Sequence, residues 1–438
     1  MEDQIASTKS APVTKSLIWA MVAVFATAFC VRIVFVALRG VKVAPDTADY
    51  TRLAENIRAH GAFSLEAGPE FTPSIRRAPL YPVFLAGFVH SGNVSQSAVA
   101  VTQIILDAGI AAVIVLLVTS LATVRWALIA GAVYALHPGA IYFSTAIITE
   151  PLFTPLSVAS TVLLMYGLRS NRAVLTTLAG AAFGLATLCR PVVFLLPFLL
   201  LAIWLLFSTQ RPRKWLHTSL TIVCMTLVLA PWLIRCARVS GHFVFVQGFT
   251  PVLFYVATRT DWNQKDEEHL WPRFAHEDPY GRWLDAARTP AEVVEADRFG
   301  LGLALRNVQN NPKGYLVSRV SNIPYLFITS FDMFTRVNKS FGQLFRERDL
   351  SELALKLALL LVFSLLPFLL AWAGVLGGWR DLTAMMCAGV WVYTFAINFP
   401  VWIEYRYGVP AVPFLLVSAA YGAYALTKRL PRRKSLSV

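Results

Sequence analysis

Residues 97–119 read SAVAVTQIILDAGIAAVIVLLVT. Asp107 is the one ionisable side chain in that run, and no proline interrupts it. About 20 such residues in a helix cross the hydrocarbon of a bilayer. Lipid offers the backbone no hydrogen-bond partner, so the run is expected to be helical. Similar runs recur on both sides of it. Hydropathy divides the chain into about ten candidate spans, at 17–38, 97–119, 124–143, 146–168, 173–189, 191–208, 216–234, 353–376, 381–399 and 408–427. The fold class that follows is an all-α integral membrane bundle of many spans. Its non-cytoplasmic loops differ in size, and the largest forms a small extramembrane region.

The rest of the composition agrees. Hydrophobic residues make up 56% of the 438, charged residues only 15%, and the mean hydropathy is +0.58. A soluble domain is about a quarter charged. The stretch 17–38 lacks a small-residue cleavage site and is expected to be retained as a span. Arg190–Pro191 reads as a tight turn between the fifth and sixth spans. Cys30, Cys189, Cys224, Cys236 and Cys387 lie in or beside spans and read as small apolar packing residues. The histidines show no metal-ligand spacing.

Orientation is read from Lys and Arg. With the N-terminus inside, the short cytoplasmic segments hold Lys9 and Lys15, Arg125, Arg169 and Arg172, then Arg211, Arg213 and Lys214, and Arg380. The tail adds Lys428, Arg429, Arg432, Arg433 and Lys434. Every such loop is positive, which predicts that both termini are cytoplasmic. Basic ends facing anionic lipid account for the net charge of +14, and no nucleic acid is needed to explain it.

That topology leaves two sizeable segments outside, 40–96 and 235–352, and short outer turns near 143–150 and 400–407. The expected organisation is a membrane module over 1–234 containing the outer loop 40–96, an outer domain over 235–352, and spans with a basic tail over 353–438. In the first loop, Pro45-Asp46 starts an amphipathic helix that places Tyr50, Leu53, Ala54 and Ile57 on one face, and Gly61 ends it. Asp46 and Asp49 near its start are either helix caps or functional carboxylates. Arg76 and Arg77 head a short re-entering helix, as a phosphate site or as anchors to lipid headgroups. Glu150 begins an otherwise apolar span; an acid there is either a helix-start residue beside Pro151 or functional. Arg190, Glu404 and Arg406 fall at the same outer boundary, which the positive-inside bias leaves unexplained. Trp262, Trp271, Phe274, Tyr280 and Trp283 stand among charges in the second loop and are expected to form the core of a small domain.

Five stretches together resemble the GT-C superfamily of membrane glycosyltransferases, in its protein-mannosyltransferase and aminoarabinose-transferase-like branch, glycosyltransferase family 39 and relatives. They are Asp46-x-x-x-Tyr50-x-x-x-Ala54 with Gly61-x-Phe63-Ser64, Arg77-x-Pro79-x-Tyr81-Pro82, Thr149-Glu150-Pro151-Leu152-Phe153, Pro231-Trp232-x-x-Arg235 and Glu404-x-Arg406-Tyr407-x-x-Pro410. Their order spans nearly the whole chain. Departures are Cys236, where the family often has Asn, and a span count below the eleven to thirteen of some members. The resemblance implies a polyprenyl-phosphate sugar donor, a hydroxyl acceptor on a glycan, lipid or protein, and transfer with inversion outside the cytoplasm. It implies Asp46 as base and Glu150 as a second catalytic acid that orients the acceptor or helps hold a divalent cation, no cofactor being certain. Asp49, Tyr50, Arg76, Arg77, Tyr81, Arg190, Glu404 and Arg406 are the implied substrate-binding residues. The expected location is a bacterial inner membrane. A transporter or flippase of a lipid-linked sugar, or a non-catalytic partner of a glycan synthase, would share the spans. Neither predicts acids and arginines converging at one interface.

Overall fold

A computed structural model describes residues 15–68, 70–208, 213–262, 267–326, 341–379 and 381–429. Lys9, Arg211, Arg380, Arg432, Arg433 and Lys434, part of the charge asymmetry, lie outside the described residues. So do Asp266 and the 327–340 part of the second outer loop.

The chain is helical almost throughout. The first half holds α1 (Lys15–Arg39), α2 (Thr47–His60), α3 (Leu80–Ala86), α4 (Gln96–Thr119), α5 (Val124–Ala135), α6 (Pro138–Ser144), α7 (Glu150–Arg169), α8 (Ala173–Cys189), α9 (Leu196–Phe207) and α10 (Lys214–Ser240). A second group is α11 (Thr250–Thr258), α12 (Glu267–Glu277), α13 (Pro279–Ala286), α14 (Pro290–Asn310) and α15 (Pro312–Asn322). The last part holds α16 (Phe341–Arg346), α17 (Leu350–Leu360), α18 (Leu366–Gly378), α19 (Leu382–Asn398) and α20 (Val412–Arg429). A two-residue hairpin pairs Val89–His90 with Asn93–Val94.

Among the described residues six helical stretches are long and apolar enough to cross a membrane: Lys15–Arg39, Gln96–Thr119, Glu150–Arg169, Lys214–Ser240, Leu350–Gly378 and Tyr405–Lys428. The protein is a multi-pass membrane protein. The expected single span at 124–143 is instead α5 and α6, bent by 54°. His137 precedes Pro138, and a residue before proline is pushed out of the helical region. The span expected from 146 starts only at Glu150. Ala146 forms a parallel bridge with Lys42, with Lys42 N–H donating to Thr145 O (3.1 Å) and Ile147 N–H to Lys42 O (3.0 Å). The remaining predicted spans are shorter apolar helices, Ala173–Cys189, Pro191–Phe207 and Leu382–Asn398.

Lipid gives helices no hydrophobic reason to associate, so close packing of small residues does that work. Gly374 on α18 faces the Ser418 carbonyl of α20, Gly422 faces Leu370, and a Cβ on either would overlap that backbone. In the middle of the bundle, Arg32 of α1 binds Asp107 of α4 through Nε (2.6 Å) and Nη2 (2.5 Å). Its Nη1 donates to Ala28 O and to Ala135 O, the latter at the end of α5 where the chain bends. Asp107 Oδ1 accepts from the Tyr134 hydroxyl at 2.7 Å.

Residues of α10–α14 form a separate core around Tyr255, Trp262, Phe274, Tyr280 and Val293. Trp262, Phe274 and Tyr280 are buried there, with Trp271 packed against them, as the sequence suggested. Trp283 is instead 41% exposed, tilted against Phe299. Two residues from elsewhere belong to this core: Ile75 of the first loop and Trp402 beside the last span.

Candidate active site

Four turns meet at one end of the bundle. The first leads into α2. Asp46 occupies the cap position, yet its side chain makes no cap hydrogen bond. The loop is pinned by Thr47, whose hydroxyl donates to Ile147 O at 2.8 Å. That bond, beside the Lys42–Ala146 bridge, holds the approach to Asp46 against the approach to Glu150. Tyr50, Leu53 and Ala54 bury one face of α2, and Gly61 ends it in the left-handed conformation at φ +65°. The fourth turn, Tyr405–Ala411, is held by Gly408, where a Cβ would collide with the Leu326 backbone.

The cap reading of Asp46 is replaced by two ion pairs. Its Oδ1 meets Arg77 Nη2 at 2.8 Å, and its Oδ2 meets Arg406 Nη1 at 3.0 Å. Arg77 also grips Asp49 Oδ2 through Nε (2.9 Å) and Nη2 (2.8 Å), and lies 5.3 Å from the Tyr50 ring centre. Glu150, 1% exposed, is bound by Arg190 Nη1, and Arg406 Nε stands 3.6 Å from the same oxygen. Arg406 Nε further donates to Glu404. Asp46, Asp49, Glu150 and Glu404 therefore interlock with Arg77, Arg190 and Arg406, one acid more than the bases.

Burial raises the cost of ionising Asp46, but the Arg77 and Arg406 guanidiniums outweigh it and hold the carboxyl at about 2. Burial pushes the Tyr50 phenol up to about 12, so it remains a hydrogen-bond donor at neutral pH. For Arg77, burial is outweighed by Tyr50, Asp46 and Asp49, which raise its pKa above the ordinary arginine value.

Two expected residues lie apart. Arg76 turns away and donates to Leu284 O and Ala287 O. Tyr81 is buried edge-on against Tyr50, its hydroxyl donating to Gln103 Oε1 at 2.9 Å. Phe153 and Tyr407 were not singled out as site residues, yet their ring centres lie 5.8 and 5.0 Å from the Arg190 guanidinium. Both stand inside the motif stretches, which was the available signal. A small cavity of about 20 Å³ opens beside Arg190, lined by Phe153, Leu196, Tyr393 and Ile397 with Ser157 and Asn398 among them.

The stretch 76–234 matches the family model of dolichyl-phosphate-mannose-protein mannosyltransferases. No curated protein matches the sequence. Among solved structures the chain is similar to the Archaeoglobus fulgidus oligosaccharyltransferase in complex with zinc and sulfate, with TM-score 0.53 and 16% identity over 93% of this chain and 49% of that one. It is similar to the same organism's AglB in complex with an inhibitory peptide and a dolichol-phosphate, with TM-score 0.51 and 15% identity over 95% and 51%. The chain has the GT-C fold. It spans about half the length of those oligosaccharyltransferases. A further GT-C structure, ArnT from Cupriavidus metallidurans bound to undecaprenyl phosphate, aligns with TM-score 0.41 and 14% identity over 94% of this chain and 78% of that one. The family-model match takes in Arg77, Glu150 and Arg190 but stops short of Glu404 and Arg406.

A resident cation does not fit this cluster. Among the described residues no three His, Cys, Asp or Glu are grouped to hold a metal ion. Glu150 and Asp46 each face two guanidiniums, so a cation bound there would meet like charge.

Proposed function

We propose that the protein is a membrane glycosyltransferase that moves a sugar from a polyprenyl phosphate to a hydroxyl acceptor. The observation that carries this reading is a carboxylate–guanidinium cluster gathered at one end of a GT-C fold, with three arginines each partly exposed beside it. Arg190, at the edge of the small cavity, suits a lipid phosphate, with the flat fork that arginine offers to oxyanions. That AglB is recorded with a dolichol-phosphate and a peptide supports the same donor class.

In the proposed reaction the acceptor oxygen attacks the anomeric carbon as the bond to the phosphate oxygen breaks. The lipid phosphate leaves with the electron pair, its charge met by Arg190, Arg406 and Arg77. The hydroxyl proton passes to Asp46, and one displacement inverts the anomeric centre. A carboxyl near 2 is a weak base. Once the donor phosphate draws on Arg406, Asp46 loses part of a guanidinium and gains an anionic neighbour. Both changes raise its pKa, so basicity develops with the donor bound. Glu150, clamped between Arg190 and Arg406, orients both.

The chemistry takes place outside the cytoplasm in this reading, on a bacterial inner membrane with both termini inside. The division at 1–234, 235–352 and 353–438 separates the catalytic bundle, an acceptor-side platform and the closing spans. A reporter fused after residue 260 is expected outside, and one at the C-terminus inside. The direct test is transfer by purified protein from a panel of polyprenyl-phosphate sugars to glycan, lipid and peptide acceptors. Transfer by wild type that Asp46→Asn abolishes and Asp49→Asn largely keeps would carry the assignment. Near-normal transfer by both variants would remove the carboxylate base from this loop.

A further inference from the structure

Arg76 and Arg77 are neighbours in sequence and are sent to different places. Arg77 reaches into the carboxylate cluster. Arg76 Nη2 donates to Leu284 O (2.8 Å) and Ala287 O (2.7 Å) beyond the cluster, and its guanidinium lies 5.6 Å from the Phe249 ring centre. The backbone around them is fastened on that same far side. Arg235 Nη1 donates to Ser74 O at 2.8 Å. Gly248 N–H donates to Ile75 O at 2.7 Å. Ala78 N–H donates to Gln247 Oε1 at 2.9 Å. Ile75 is 1% exposed within the core of α10–α14. From 74 to 78, Arg77 alone sends its side chain to the cluster.

The fastening loop is strained. Val246 and Phe249 have φ of +65° and +69°, in the left-handed region that branched and bulky residues avoid. Each is held there. Trp232 Nε1 donates to Val246 O at 2.6 Å, and Phe249 N–H donates to Asp297 Oδ2 at 2.8 Å. Asp297 Oδ1 in turn accepts from the Tyr280 hydroxyl at 2.8 Å. Strain of this kind persists only where the surroundings over-determine it, and it gathers at functional sites.

We infer that the loop 244–249 positions Arg77, with Gln247 and Arg76 as positioning residues that fix where the Arg77 guanidinium stands against the donor phosphate. The inference rests on the reading of the cluster as a phosphate-handling site. It gives Arg76 a structural grip on the outer region in place of a phosphate contact.

The test uses full-length purified protein and a polyprenyl monophosphate as probe. Gln247→Ala removes the acceptor of the Ala78 amide, and Gln247→Glu keeps one. Gln247→Ala is expected to weaken binding of the probe roughly 5- to 30-fold, the range of one lost buried hydrogen bond. Gln247→Glu should restore most of it. In an Arg77→Ala background Gln247→Ala should add nothing, because its effect passes through Arg77. Equal losses in both backgrounds overturn the inference. Amide exchange at Ala78 gives a second reading: protection should fall in Gln247→Ala and return in Gln247→Glu, and unchanged protection in the alanine variant also overturns it. A wild type that binds no polyprenyl phosphate defeats the phosphate reading of the cluster, and the Ala78 exchange then decides the positioning role by itself.

Discussion

Arg32 and Asp107 meet in the middle of the bundle, and Arg190 and Glu150 meet at its end. The inner pair is closed: Arg32 is 0% exposed, its nitrogens face Asp107 and two carbonyls, and Asp107 has Tyr134 as well. Within this pair only Arg32 Nη2, which reaches Asp107 as an ion pair, is buried without a hydrogen bond. The outer group is open, with Arg77, Arg190 and Arg406 each about a fifth exposed and one carboxylate in excess of the arginines. Burial of charge is thus common to both, and what differs is access: the inner arginine is sealed and the outer ones are partly exposed. An intramembrane ion pair is by default a candidate for function. This protein holds one that fastens helices at a bend and one that the proposed function assigns to chemistry.

The comparison breaks most visibly if the two groups respond alike to losing a charge. Asp46→Asn is expected to lower transfer by roughly 10²–10⁴-fold, the usual worth of a general base, with yield and membrane insertion unchanged. Asp107→Asn should do the reverse. Breaking a buried pair costs about 3–5 kcal/mol of stability, read as a lower melting temperature, while activity per folded molecule is kept. Removing both partners sharpens the contrast, since replacing a whole buried pair with apolar residues is often neutral. Arg32→Met with Asp107→Leu should recover stability and transfer together. Arg190→Met with Glu150→Leu should fold and fail to transfer. A double variant at the outer pair that still transfers would make that pair structural too.

Arg190→Ala is expected to reduce donor use on the order of 10²-fold, the scale of a truncated buried charge contact. Arg190→Lys should recover only part, because an ammonium lacks the two-pronged fork. Unchanged donor KM in both variants would take Arg190 out of the phosphate site and leave binding to Arg77 and Arg406. The smallest expected effects are in pH. The profile of kcat/KM, which reports the free enzyme, should show no acid limb from Asp46 between pH 5 and 8, since that carboxyl sits at about 2. The profile of kcat should fall at a higher pH than kcat/KM does, as the donor raises Asp46. Coincident limbs would mean the donor leaves Asp46 untouched.

Asp297 supplies the opposite sign. Burial lifts it from 3.8 to about 6. Its folded form binds a proton more tightly than its unfolded form, so its contribution to stability is full below pH 3.8 and is lost as pH rises through 6. Asp46 contributes above 3.8 and loses that as pH falls toward 2. The melting temperature of wild type minus that of Asp297→Asn should therefore decrease from pH 5 to pH 7.5. A flat difference would show that Asp297 does not titrate there.

Most of the bundle was readable because a membrane span is written locally, as an unbroken apolar run such as 97–119. The bend at His137–Pro138 was also written locally and was passed over, since hydropathy averages across one proline. The site was half readable. Asp46, Glu150, Arg190 and Arg406 stood out as charges at one boundary, but which acid pairs with which arginine depends on contacts between residues far apart in sequence. Asp46 before a helix looked like a cap until its side chain was seen turned to Arg77 and Arg406. Arg76 and Arg77 could not be told apart from composition; only the fastening of the backbone by Gln247 and Gly248 separates them.

The interlocked acids and arginines also set a clock on biosynthesis. Asp46 leaves the ribosome with the first span, and Arg406 follows only ahead of the last one. At roughly 5–20 residues per second that interval is on the order of tens of seconds. For that time Arg77 is the one cluster arginine able to reach Asp46, and from its synthesis until Arg190 follows, Glu150 waits without either of its partners. The cluster is therefore complete only when translation is nearly done, and on the proposed reading a truncated product would carry spans without a finished site.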